Sequence, residues 1–340
     1  MARRGLAVIG AGMGWGAHAL SLRDLAERVE VVGVYSRSKA RRAQAAAEHG
    51  VPVTADLPGL IADPRVSAVL IITPPDTHLD LVRQAAAAGK HVLVEKPLEL
   101  DLPRARAVVA AAASASVTLG VVLHYRTREN ARRLASLVRT GALGRLVTAS
   151  ASIRWWRTQG YYDQPGRGTL ARDGGGVLLT QAIHGLDLFL TLAGPVAEVA
   201  CFAGTSIAHR MECEDVAGAA LRFAGGAIGS LDATTASYPG FPERLELVFE
   251  QATALLVGED LRLFHRDGTE QHFPAGASHG GGADPMAYSH EHHRALLQDF
   301  LDALDKGRAP IATGASALHV HELIDALIRS SREGRPIRPG

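Results

Sequence analysis

The chain has 340 residues, enough for two domains at roughly 150 residues each. With 47% hydrophobic and 21% charged residues and no run of about 18 apolar positions, the composition is that of a globular protein and excludes a membrane-spanning helix. The 36 Lys and Arg nearly cancel the 35 Asp and Glu, and a net charge of +1 gives no global field for nucleic acid or a membrane surface.

The first residues, Met1 to Gly5, lead straight into the apolar run Leu6–Ile9 and a glycine loop, where a signal peptide needs a longer apolar segment; a cytoplasmic protein is expected. Strands are predicted at Leu6–Ile9, Val29–Tyr35, Ala68–Ile72, His91–Val94 and Val117–Val121. Between them lie helical stretches at Lys39–His49, Thr77–Ala88 and Leu102–Ala113. Near-continuous apolar strands that alternate with helices call for a parallel sheet buried on both faces. The fold class is therefore α/β, with a doubly wound Rossmann domain over residues 1–122.

After Tyr125 the rhythm changes. A helix is predicted at Glu129–Arg139, a strand at Arg145–Trp155, a polar loop at Thr158–Gly176 and one helix at Val177–Leu192, stopped by Gly194-Pro195. The four arginines between Arg126 and Arg133 alternate with Glu129 and an apolar stripe, and read as a solvated helix face. From Val196 to His272 strand-like runs follow one another, including Asp215–Phe223, Ala227–Thr235, Arg244–Phe249 and Ala252–Val257. With no helices between them they imply a large, mostly antiparallel sheet. Cys201 and Cys213 lack the paired spacing of a zinc or redox motif and are expected to be reduced. Gly276–Asp284 is a glycine-rich loop expected to be mobile, and helices at His290–Lys306 and Ala315–Glu333 close the chain.

The run Gly10-Ala11-Gly12-Met13-Gly14-Trp15-Gly16 follows the first strand and opens a helix. In such a turn the first glycine permits the bend, the second lets backbone approach a pyrophosphate, and the phosphates sit on the helix N-terminus. Gly10, Gly12 and Met13 are thus candidate dinucleotide-binding residues. Trp15 stands where the third glycine of the fingerprint belongs, so backbone freedom there falls to Gly14 and Gly16. After the second strand come Ser36 and Arg37, which suit a 2′-phosphate where an acidic residue would grip a free ribose hydroxyl. NADP is the favoured cofactor and NAD the alternative. Thr73-Pro74-Pro75-Asp76-Thr77-His78 and Glu95-Lys96-Pro97 sit at strand carboxyl ends, the edge where such sheets bind ligands. Thr73, Pro74, His78, Glu95 and Lys96 are accordingly assigned to the cofactor. Lys96, held between a strand end and a proline, can also donate a hydrogen bond to a substrate oxygen.

Taken together, Gly10-Ala11-Gly12 with His18, the Thr-Pro-Pro-Asp-Thr-His run, Glu95-Lys96-Pro97, and Gly174-Gly175-Gly176 with His184-Gly185-Leu186-Asp187-Leu188 resemble the Gfo/Idh/MocA family of sugar and inositol oxidoreductases. The likeness runs down to Gly307-Arg308-Ala309-Pro310 and Ser331-Arg332-Glu333-Gly334-Arg335-Pro336. It implies a second α/β domain over 123–340 with an open sheet used for substrate binding and oligomerisation, the C-terminal helix packing back on the first domain, and assembly as a dimer or tetramer. By the same resemblance Lys96 is the catalytic lysine and His184 the acid/base. A histidine titrates near neutrality and can take the hydroxyl proton while a nicotinamide takes the hydride. Many relatives carry an aspartate four residues before that histidine; Thr180 stands there in this chain. A threonine can bind a hydroxyl but supplies no charge, and Asp187, three residues after His184, is a candidate replacement.

Around this helix lie residues suited to a small polyol. Trp156 and Tyr161 can stack on a sugar ring, while Arg126, Arg157 and Arg172 can fork onto a carboxylate, and Thr180, Gln181 and His184 offer hydrogen bonds. One of Trp155 and Trp156 is expected to pack inward by strand alternation. His279, His290, His292 and His293 with Glu291 fit a metal site poorly, since on a helix only 290 and 293 share a face; no metal is expected. The reading is an NAD(P)-dependent dehydrogenase or reductase acting on CH–OH groups of a sugar, sugar acid or cyclitol, with no nucleic-acid or membrane partner. A redox-assisted glycoside-cleaving enzyme and a non-catalytic NAD(P)-sensing protein are the alternatives.

Overall fold

The computed structural model describes residues 3–276 and 289–340. Apart from Gly276, the glycine-rich loop expected up to Asp284, with His279, lies outside them. Two compact units make up the chain: one holds the residues up to His124 together with His290–Leu318, the other those from Tyr125 together with His319–Gly340.

The first unit is built on six strands, β1 (Arg4–Ile9), β2 (Val29–Tyr35), β3 (Val53–Thr54), β4 (Val66–Ile71), β5 (His91–Val94) and β6 (Leu119–Val121), all parallel, in the order β3-β2-β1-β4-β5-β6. Ala7, Val8, Ile9 and Ala68 to Ile71 have no exposed surface, because helices cover both faces, and this is why β1 and β4 read as unbroken apolar runs. The strand order reverses between β1 and β4, the switch point outside whose carboxyl ends a crevice opens. The late helix Glu291–Lys306 belongs to this unit: a Cβ on Gly120 of β6 would lie 2.9 Å from Phe300. Arg28 further ties it down with ion pairs to Asp302 at 2.8 Å and Asp305 at 2.9 Å.

The second unit is an eight-stranded sheet. Its strands are β7 (Leu146–Arg154), β8 (Val196–Gly204), β9 (Val216–Phe223), β10 (Ile228–Thr234), β11 (Arg244–Phe249), β12 (Ala252–Val257), β13 (Asp260–His265) and β14 (Glu270–Phe273). They run in the order β14-β13-β12-β11-β7-β10-β9-β8, antiparallel except for β7 with β10. Ala149, Ala151 and Ile153 of β7, Leu231 and Ala233 of β10 and Leu245 and Leu247 of β11 alternate with more exposed residues and form the buried face. The helix Ile183–Ala193 lies on that face, so close that a Cβ on Gly185 would stand 2.7 Å from Cδ1 of Ile153.

The helix expected at Val177–Leu192 is divided. Val177–Gln181 forms a π-turn, with the Ala182 N–H bonded to the Val177 carbonyl at 2.8 Å, and the α-helix starts at Ile183. Its first N–H groups are drawn aside by Glu214, whose carboxyl accepts from Gly176 and Leu178 at 3.1 Å each while its carbonyl accepts from Val177 at 2.7 Å. Such local widening of a helix often marks functional positions. Among the described residues, no single helix is long and apolar enough to cross a membrane.

Candidate functional site

In the first unit the glycine loop leaves β1 with Gly10 at φ +112°, its N–H bonded to the Tyr35 carbonyl at 2.9 Å. A side chain on Gly10 would meet the Ile72 carbonyl oxygen at 2.8 Å, so only glycine fits. The helix Trp15–Asp24 that follows has no side-chain cap and no acidic residue in its first turn, which leaves its N–H groups directed at the loop. Met13 is exposed beside it, and Trp15 is buried edge-on against His49 at 5.5 Å. Across the turn, Ser36 accepts the Ser38 N–H at 3.3 Å, and Arg37 is exposed. Nη1 of Arg41 approaches Gly12, 3.7 Å from where its Cβ would be. Glycine backbone, bare helix N-terminus and nearby cations together fit a dinucleotide phosphate.

Thr73 bonds Thr77 through their hydroxyls at 2.6 Å, which closes the turn after β4. His78 is fully buried, its Nε2 2.9 Å from the Thr73 carbonyl and its Nδ1 3.0 Å from that of Pro97. It joins the two strand-end turns, and its whole surface is used in doing so. Desolvation lowers its pKa. Glu95 places Oε1 2.8 Å from Nε2 of His18 and accepts the Lys96 N–H on Oε2 at 3.0 Å. Burial by itself would raise this carboxyl, but the His18 hydrogen bond and the electrostatic pull of His18 and Lys96 outweigh it and hold the pKa at about 2.

His293, from the late helix, completes this group at 4.0 Å from Glu95, with its ring edge-on to His18 at 5.1 Å and stacked on His124 at 4.4 Å. Burial pushes its pKa down to about 3, so it is neutral. The donor atoms of His18, Glu95 and His293 lie within 4.8 Å of one another and could hold a metal ion, although the His18–Glu95 hydrogen bond accounts for their approach without one. Sequence reasoning missed this cluster, because it weighed His293 only against its helix neighbours.

In the second unit the π-turn and the helix after it carry Thr180, Gln181 and His184. Gly176 is pressed against Glu214 so tightly that any Cβ would overlap its carbonyl, and the Thr180 hydroxyl donates to the Gly176 carbonyl at 2.7 Å. His184 is buried, with the ring of Tyr125 stacked on it at 5.0 Å. Asp187 takes the fork of Arg126 bidentately, at 2.7 Å from Nε and 2.6 Å from Nη2. Its carboxylate is therefore paired with Arg126.

Arg157, Gln181 and Tyr161 come together: Nε of Arg157 donates to Gln181 at 3.1 Å, and Gln181 donates to the Tyr161 hydroxyl at 3.0 Å. Trp156 faces elsewhere, edge-on to Tyr238 at 5.6 Å, and Arg172 folds back onto the Pro165 carbonyl. Both tryptophans are half-buried, not one in and one out, because β7 and its alternation end at Arg154. The arginine-rich stretch is corrected as well. Arg128 is buried and Arg126 half-buried, both in ion pairs, Arg126 with Asp187 and Arg128 with Glu243, where a solvated face was expected. A second feature the sequence hid is His209, fully buried with Nδ1 2.6 Å from Asp215 and Nε2 2.8 Å from the Arg157 carbonyl.

Comparison with known proteins follows the same division. The model of an oxidoreductase family with an NAD-binding Rossmann fold matches residues 4–123, and that of the GFO/IDH/MocA C-terminal domain matches residues 131–255. The chain is 31% identical over 220 residues to a 1,5-anhydro-D-fructose reductase of Ensifer adhaerens, spanning 62% of this chain and 63% of that one, just under two thirds of its length. Inositol 2-dehydrogenase 2 of Paenarthrobacter aurescens is 30% identical, with 95% and 94% of the two chains covered. Among solved structures, the WlbA dehydrogenase of Bordetella pertussis in complex with NADH and UDP-GlcNAcA superposes with a TM-score of 0.85 at 26% identity, covering 99% of both chains.

Proposed function

Because the chain belongs to the GFO/IDH/MocA family of NAD-binding oxidoreductases, we propose that it moves a hydride between a nicotinamide and a hydroxyl-bearing carbon of a sugar, sugar acid, cyclitol or similar small polyol. The observation that carries this reading is the grip of Glu95 on the Lys96 turn: one carboxylate oxygen engages His18, the other takes the Lys96 N–H, at the sheet edge shared with the glycine loop. A lysine whose main chain is fixed in this way presents its ammonium without a search over backbone conformations. The relatives act on an anhydro sugar and on inositol by their names, which supports a polyol substrate.

Gly10, Gly12 and the N-terminus of the helix Trp15–Asp24 hold the pyrophosphate, and Ser36, Arg37 and Arg41 face a 2′-phosphate. NADP is preferred on that account, with NAD accepted. When bound, the dinucleotide supplies the hydride acceptor or donor. Lys96 donates a hydrogen bond to the substrate oxygen, and His184 takes or returns its proton. Arg157, Gln181 and Tyr161 bind further hydroxyls or a carboxylate.

The test incubates the protein with NADP or NAD and a panel of aldoses, uronates, inositols and cyclic dihydrodiols while following reduced nicotinamide. Turnover that is nearly abolished in Lys96→Met and His184→Ala is expected. No change in nicotinamide absorbance with any polyol, or full activity in Lys96→Met, overturns the reading. Tight binding of NADH with none of NADPH overturns the cofactor preference.

A further inference from the structure

We infer that Tyr125 and Arg128 are positioning residues for the His184 imidazole, forming with it a guanidinium–phenol–imidazole column that fixes the plane of the ring. This rests on the reading of His184 as the acid/base.

A rotamer does not fix an imidazole plane, because rotation about the bond from Cβ to the ring is broad and roughly two-fold. Proton transfer needs that plane fixed, since hydrogen bonds weaken steeply as they bend. In this chain the ring starts the helix Ile183–Ala193 directly after a π-turn, where the regular backbone has just been interrupted. Tyr125 offers a surface against it: its ring lies 5.0 Å from that of His184, the two planes only 23° apart.

Tyr125 is itself held by Arg128. Cζ of Arg128 stands 3.2 Å from the centroid of its ring, and the Arg128 N–H bonds the Tyr125 carbonyl at 3.2 Å, so one turn of chain delivers both groups. Arg128 as a whole is only 9% exposed, a costly location for a charge. Two carboxylates meet that cost from the sheet side, Glu243 in direct contact and Glu259 at 3.7 Å from Nε. Burial drives the phenol pKa upward, so Tyr125 remains neutral and its face remains a π surface at any working pH. The sequence Tyr125-Arg126-Thr127-Arg128 therefore has two arginines with different jobs. Arg126 anchors the His184 helix through Asp187, and Arg128 holds the aromatic ring that stacks on His184.

Three variants test this: Tyr125→Phe, which keeps the ring; Tyr125→Leu, which keeps apolar bulk without it; and Arg128→Met combined with Glu243→Gln and Glu259→Gln, which leaves neither carboxylate stranded. Turnover of the polyol found in the panel should be rescued in Tyr125→Phe. In the other two kcat should fall about ten-fold or more per folded molecule, with KM for dinucleotide and polyol within about three-fold, as expected when orientation and not binding is lost. Independently of activity, the ring carbon–proton signal of His184 in a histidine-labelled sample, assigned by its loss in His184→Ala, should move in Tyr125→Leu and stay in Tyr125→Phe. An unmoved signal in Tyr125→Leu, or full kcat in Tyr125→Leu, overturns the inference. If the parent protein turns over no polyol, the proposed reaction falls instead, and the ring signal alone decides whether the column exists.

Discussion

Nε2 of His18 lies 2.8 Å from Oε1 of Glu95, and this contact holds a half-sequestered carboxylate ionised far below its usual range. With the folded pKa near 2 against an unfolded value near 4.5, Glu95 adds stability that is complete above pH 4.5 and is lost as pH falls toward 2. The size of that contribution is on the order of 3 kcal/mol. His293 has the same sign of slope for another reason. Its imidazole is forced neutral in the fold, so stability declines as pH drops below about 6.5 and levels off near 3. A plot of Tm against pH should accordingly bend downward twice. His293→Gln is expected to flatten the segment between about pH 6.5 and 4.5 and to leave a shallower, Glu95-driven decline below it, and an unchanged upper segment would refute the assignment.

Gly10 and Gly14 sit in one loop and should respond oppositely to alanine. Gly10 has φ +112° and a carbonyl 2.8 Å from the site of a Cβ, whereas Gly14 has ordinary φ −72° and nothing within 4 Å. Gly10→Ala should cost about 1–3 kcal/mol and abolish measurable dinucleotide affinity. For Gly14→Ala, calorimetry should find stability within about 0.5 kcal/mol of the parent.

Glu214 controls where the His184 helix begins. Glu214→Ala deprives the Gly176 and Leu178 N–H groups of their acceptor, at a cost of about 1–3 kcal/mol. Gly176→Ala should be worse, because backbone and not a side chain occupies the space. Amide exchange of residues 177–181 read by mass spectrometry should rise in Glu214→Ala. Unaltered protection there would count against the capping role.

The His209–Asp215 pair is buried with neither side chain exposed, so breaking it from one side should be severe. His209→Ala is expected to lose about 3–5 kcal/mol by urea unfolding. At the same time the Arg157 carbonyl loses its donor, and the substrate KM should rise more than that of the dinucleotide.

Much of the architecture could be read from local pattern. Val29–Tyr35, Lys39–His49, His91–Val94, Glu129–Arg139 and Ala252–Val257 fall where the sequence puts them: His91–Val94 is a short apolar run, three of its four residues buried, Ala252–Val257 alternates buried and half-buried residues, and Glu129–Arg139 buries Asn130, Ala131 and Leu134 at helical spacing. What escaped was short or distant. β3 has two residues, too few to show any period, and the π-turn depends on Glu214, which lies a strand away. The glycine loop, Lys96 and His184 were visible as motifs, while the groups that hold them were not. His293 reaches Glu95, and His209 reaches the Arg157 carbonyl, only once the chain has folded. Arg128 looked solvent-facing for the same reason: its carboxylates arrive from the residue just before β11 and from the turn after β12.

β7 sits between β10 and β11 in the eight-stranded sheet, though both are later in the chain. During synthesis β7 thus emerges from the ribosome with two bare edges and waits for roughly the next eighty residues before either can be covered, a delay of about 4–16 s at ordinary elongation rates. Nascent chains halted before β10 should be sticky, and chaperone demand should peak within that window.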